Sequence, residues 1–151
     1  MNSNEYTTRQ IFDICDRMHR GYIIPRHFAT FLQLMTNGKV VPTRRQAEAF
    51  IVYQCGKTRF SYESFERWFE SPHNFDMVAS DKIVLLDKAY TLYHYYTNKD
   101  SEMNYKQFID MIHAEYKTHQ MIGIDQVRLL DRNEDGIISF KEFCDWLKWF
   151  T

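Results

Sequence analysis

The stretch Asp131-Arg132-Asn133-Glu134-Asp135-Gly136-Ile137-Ile138-Ser139-Phe140-Lys141-Glu142 decides how this chain is read. Asp131, Asn133 and Asp135 place side-chain oxygens at alternate positions, a glycine follows, and Glu142 closes the segment. A hard cation takes about six to eight oxygens at roughly 2.3–2.6 Å, and alternating residues along a tight loop aim their oxygens at one point. Gly136 permits the sharp turn that a side chain would obstruct. Ile137 adds a backbone carbonyl, Ser139 adds a hydroxyl or holds a water, and Glu142 adds two carboxylate oxygens, whose bidentate grip favours calcium over the smaller magnesium. The metal ligands expected are therefore Asp131, Asn133, Asp135, Ile137, Ser139 and Glu142, and the ion expected is Ca2+. Every constrained position of the pattern D-x-[DN]-x-[DN]-G-x5-E is met.

The flanks separate this reading from that of an acidic surface turn. Ile124, Val127 and Leu130 repeat at helical spacing before the loop, and Phe143, Trp146, Leu147 and Phe150 form an apolar stripe after it. Helix, loop, helix is the local expectation. Ile138, at the eighth loop position, suits a short strand that pairs with a neighbouring loop.

Outward from Phe143, the same spacing recurs. An apolar residue stands five positions before an aromatic, which is followed by two spacers and two apolar residues. The copies are Ile23 with Phe28, Phe31 and Leu32; Phe60 with Phe65, Trp68 and Phe69; and Met103 with Phe108, Met111 and Ile112. The aromatics Phe28, Phe65, Phe108 and Phe143 lie 37, 43 and 35 residues apart, room for two short helices and a loop in each unit. Thr7 with Gln10 and Thr43 with Gln46 read as capping boxes opening helices, and Asn37-Gly38 reads as a helix stop.

On the intact loop and the fourfold repeat the chain resembles the EF-hand family of calmodulin, troponin C and the myosin light chains, over nearly its whole length. The resemblance implies an all-α fold of four EF-hand helix-loop-helix units with eight helices, paired into two lobes by short two-strand contacts between loops. The N-terminal pair is expected over residues 1–70, a linker over 71–80 and the C-terminal pair over 81–151. Pro72, in the longest gap, argues against one uninterrupted helix joining the lobes.

Three loops have lost their ligands. The first, Asp16 to His27, keeps Asp16 and Gly21 but carries Met18, Arg20 and His27 at positions three, five and twelve. The second, roughly Tyr53 to Ser64, offers Cys55 and Lys57 where oxygens belong and Ser64 in place of the closing carboxylate; a frame one residue shorter would set Phe50 rather than Ala49 at the usual apolar position before it. The third, Tyr96 to Gln107, retains Asn98 and Asp100 but lacks the closing carboxylate, which leaves at most a weak residual site. Arg20 and Lys57 add repulsion where an ion would sit, so the N-terminal pair is expected to be blind to calcium.

Composition narrows the function classes. Hydrophobic residues at 44% and aromatics at 17% supply enough apolar surface for packed cores. Lys and Arg total 19 against 20 for Asp and Glu, a balance that gives no overall field for nucleic acid and no polybasic membrane patch. The near-neutral charge also departs from the strongly acidic character of calmodulin itself. No apolar run approaches the roughly 20 residues that span a bilayer. Three unpaired cysteines and the absence of a signal segment lead to an expectation of a cytoplasmic, reducing location, cytoskeleton-associated if the partner is. Neither a phosphate loop nor an HExxH, nucleophile-elbow or zinc-deaminase pattern occurs, so no enzyme is expected.

The resemblance implies a partner: an amphipathic helix of a larger protein, gripped by the lobes. Two readings stay open. One is a calcium-dependent regulator of a dedicated partner; the other is a constitutive, light-chain-like subunit of a motor or cytoskeletal complex in which calcium only stabilises.

Overall fold

The computed structural model describes residues 6–97, 102–116, 127–147 and 149. Among these, seven α-helices and four two-residue strands follow in order: α1 (Thr8–Cys15), β1 (Tyr22–Ile23), α2 (Pro25–Met35), α3 (Arg44–Cys55), β2 (Phe60–Ser61), α4 (Tyr62–Phe69), α5 (Ser80–Thr97), β3 (Met103–Asn104), α6 (Tyr105–Tyr116), β4 (Ile137–Ile138) and α7 (Phe140–Leu147). The helix expected over Ile124, Val127 and Leu130 lies largely outside the described residues, as do Asn98, Asp100 and Phe150.

Local chemistry accounts for the helix ends. Thr7 and Thr43 each accept from the amide of the third helical residue, Gln10 and Gln46, whose side chains accept in return from the Thr7 and Thr43 amides. Two otherwise orphaned donors are satisfied at each start. α2 opens with Pro25, whose missing N–H costs nothing in the first turn, and stops at Asn37 and Gly38, both at positive φ, with the Gly38 amide donating to the Gln33 carbonyl at 2.8 Å. α4 and α5 are separate helices. Between them Trp68 Nε1 donates to the Asn74 carbonyl, and the Asn74 amide side chain donates to the Phe69 carbonyl, so the Pro72 region folds back on the end of α4.

The strands join the loops in antiparallel pairs. β1 pairs with β2 through Ile23 opposite Phe60, and β3 pairs with β4 through Met103 opposite Ile138. All four of these residues are completely buried. They are the leading apolar residues of the four sequence repeats, so the repeat marks the positions where loops meet.

The chain divides into two compact units, Met1–Asp87 and Lys88–Thr151, with the boundary inside α5. In the first, Phe28 stacks on Phe50 (centroids 5.6 Å) and meets the edges of Phe60 and Trp68 at 5.2 and 5.4 Å. Such offset and edge contacts suit the ring quadrupole. In the second, Tyr93 packs against Phe140 and Phe143, each at 5.4 Å, and Phe108 meets Trp146 at 5.0 Å. No described helix is long and apolar enough to cross a membrane.

The second loop departs from its expected frame. α3 continues through Cys55, and Gly56, at φ 77°, ends it in the left-handed conformation. Four residues, 56–59, then separate helix from strand, against six between the end of α1 and β1. Tyr53 therefore lies within a helix rather than at a loop's first position. Ala49 and Phe50 are both fully buried, so burial does not choose between them.

Candidate metal site

The loop from Asp131 to Glu142 is built around its first residue. Asp131 is only 2% exposed. Its Oδ2 accepts from the Gly136 amide at 2.7 Å and from the Tyr105 hydroxyl at 2.6 Å, and its Oδ1 accepts from the Asp135 amide at 3.4 Å. Burial works to raise the Asp131 carboxyl, but the bonds from Tyr105, Gly136 and Asp135 outweigh it and hold the group below its ordinary value. Glu134 and Gly136 take positive φ, 55° and 82°, which bends the backbone over the carboxylate.

The remaining ligand candidates stand on the same loop. Asp135 Oδ1 accepts from the Ile137 amide at 3.0 Å. Asn133 and Asp135 are exposed, and Ile137 is half-buried in β4 opposite Asn104. Ser139 and Glu142 bond reciprocally: Ser139 Oγ accepts from the Glu142 amide at 3.1 Å, and Glu142 Oε1 accepts from the Ser139 amide at 2.9 Å. The second Glu142 oxygen accepts from the Arg132 amide at 2.9 Å, across the loop from α7 back to its start.

The donor set fits a hard cation in chemistry. Asp131 Oδ1 holds one long bond inside a buried side chain, and Asn133 and Asp135 bring further oxygens on a loop that is open to solvent. Among the described residues, however, no three acidic, histidine or cysteine side chains are gathered as a metal cluster. Both Glu142 oxygens are engaged by backbone amides. Asp131 and Asp135 lie side by side, while Glu142 is bonded to the amides of Arg132 and Ser139.

The first loop has the same architecture without the ligands. Asp16 is 5% exposed, and its two oxygens accept from the Arg20 amide at 3.0 Å and the Gly21 amide at 2.8 Å. His19 and Gly21 take φ of 51° and 89°, at the loop positions of Glu134 and Gly136. Met18, Arg20 and His27 replace Asn133, Asp135 and Glu142, so nothing in this loop surrounds an ion with oxygen.

Two tyrosines carry contacts that the loop pattern does not contain. Tyr105, on α6, reaches Asp131 across 26 residues of sequence. Tyr93, on α5 and 1% exposed, places its hydroxyl between the loops, donating to the Ile138 carbonyl at 2.5 Å and accepting from the Met103 amide at 2.9 Å. A local motif cannot show either contact. The double role of Ser139 and Glu142 was visible, since Ser-x-x-Glu before an apolar run is itself a capping box. No family model matches the chain, and no curated protein matches it.

Proposed function

We propose that the chain is an EF-hand protein that binds one Ca2+ through Asp131, Asn133, Asp135, Ile137, Ser139 and Glu142, and that it regulates a dedicated partner by gripping an amphipathic helix. The observation that carries this reading is the buried Asp131 carboxylate at the head of a loop whose third, fifth and twelfth residues all bring side-chain oxygens. The antiparallel contact between β3 and β4 supports pairing of this loop with its neighbour.

When bound, the ion supplies the positive charge around which loop oxygens gather. The chain supplies the link to the rest of the unit. Glu142 opens α7 through its bonds with Ser139, so any rearrangement of its carboxylate acts on the first turn of that helix. α7 presents Phe143 and Trp146 to Phe108, which makes helix position and exposure of apolar surface one event.

The first loop favours a second reading, a constitutive light-chain-like subunit. Its conformation persists through Asp16 and Gly21 although its ligands are gone, which suits a scaffold retained for shape. The two readings separate on whether partner affinity and binding of a hydrophobic dye change with calcium.

Amide NMR tests the assignment of the ion to one loop. Adding calcium is expected to move the Gly136 resonance, whose N–H is bonded to Asp131, and to leave that of Gly21 unchanged. Movement of Gly21 instead, or of neither, would refute the assignment.

A further inference from the structure

Cations gather on the loops of the first unit. Arg17, Arg20 and Arg26 lie on the first loop, Lys57 and Arg59 lie on the second, and all five are exposed. The β1–β2 contact brings the two loops together, with the Arg59 guanidinium 4.7 Å from the Tyr22 ring centroid. Nearby acidic groups are engaged elsewhere. Asp13 pairs with Arg9 at 3.3 Å, and Asp16 is buried under the Arg20 and Gly21 amides. Among the described residues Arg17, Arg20, Arg26 and Lys57 form no ion pair. Burial first, then Arg26 and Arg17, lower the affinity of His27 for a proton, against an opposing contribution from Asp16.

An apolar groove opens beside Arg17. Ile14, Cys15, Phe31 and Leu34 line a cavity of about 90 Å³ between α1 and α2, with Arg17 and His27 also in its wall. Ile14 is 61% exposed and Leu34 72% exposed, so both rims of the cavity present aliphatic surface to solvent. At about 30 Å³ per water, the cavity is the size of one aliphatic side chain.

We propose that this end of the first unit docks an acidic peptide segment, which seats one apolar side chain between α1 and α2 and sets its carboxylates against Arg17, Arg20 and Arg26. The groove selects a peptide over the other polyanions. A phosphate backbone or lipid headgroup would meet the cations but leave Ile14, Phe31 and Leu34 uncovered. Exposed ion pairs are individually weak, so apolar seating and charge must act together. The surface is independent of the Asp131–Glu142 loop and names the chemistry of a partner rather than of an ion.

The test is fluorescence anisotropy of the full chain with a labelled synthetic peptide, rich in glutamate and with leucine at helical spacing, run in calcium and again in chelator. Binding in both conditions keeps this surface distinct from the metal site. The peptide is expected to bind, to weaken as salt rises, and to lose about tenfold or more in affinity with Arg17→Glu, Arg20→Glu and Arg26→Glu combined, or with Leu34→Asp alone. Arg44→Glu, exposed at the far end of α3, should leave affinity unchanged, and unaltered circular dichroism shows that each variant is folded. Absence of binding, equal or tighter binding of a control peptide with lysine in place of each glutamate, or indifference to the arginine and Leu34 variants would overturn the proposal. So would selective binding of phosphatidylserine vesicles or a single-stranded oligonucleotide in place of the peptide.

Discussion

Asp16 and Asp131 perform the same structural task, each accepting from the amides four and five residues ahead of it. The first and sixth positions of the loop pattern therefore hold the loop shape whether or not the third, fifth and twelfth carry oxygens. Asp16→Ala is expected to leave calcium stoichiometry unchanged and to destabilise the first unit by about 1–3 kcal/mol, because two backbone amides lose their acceptor. Chemical denaturation alongside calcium titration checks both halves; a loss of bound calcium would show that the first loop holds an ion after all. The cysteines separate at the same scale. Burial pushes the Cys15 thiol up to about 12 and raises Cys144 as well, and both are buried. Cys55 is also raised by burial, but it is half-exposed, with its Sγ donating to the Lys57 and Arg59 carbonyls. Limited alkylation read by mass spectrometry should modify Cys55 first. Prior modification of Cys15 or Cys144 would contradict the burial described.

Elements show where the sequence was legible and where it was not. Ile23, Phe60, Met103 and Ile138 could be found by spacing alone because each precedes an aromatic by five residues, and all four lie in the paired strands. The second loop was misframed because α3 runs on to Cys55, and a helix can absorb loop positions without disturbing the apolar spacing that follows. Gly56 was the available signal, since a glycine after a helical run marks its end. The tyrosine contacts were not legible, because they join residues remote in sequence through side-chain hydroxyls. Tyr93 gives them a measurable weight: Tyr93→Phe leaves the Met103 amide and the Ile138 carbonyl without the hydroxyl between them, at an expected cost of about 1–3 kcal/mol. Equilibrium unfolding of the calcium-free protein measures it, and unchanged stability would mean that the strands satisfy these groups unaided.

At the scale of the whole molecule, an overall charge of −1 conceals the local arrangement. The loops of the first unit carry unpaired cations, whereas the Asp131–Glu142 loop carries four acidic side chains and two basic ones. Balanced composition argued against a field, but fields are set by placement, and the repeat brings like positions of successive loops together. The two proposals fall in different units: the proposed ion belongs to Lys88–Thr151 and the proposed acidic peptide to Met1–Asp87. The most direct measurement is calorimetric titration of the metal-free chain with calcium in excess magnesium, repeated on Glu142→Gln, which removes one charge at nearly constant size. One ion per wild-type chain, with binding sharply weakened in the variant, is the expected result; no binding, more than one ion, or an affinity indifferent to Glu142 would contradict a single calcium site in this loop.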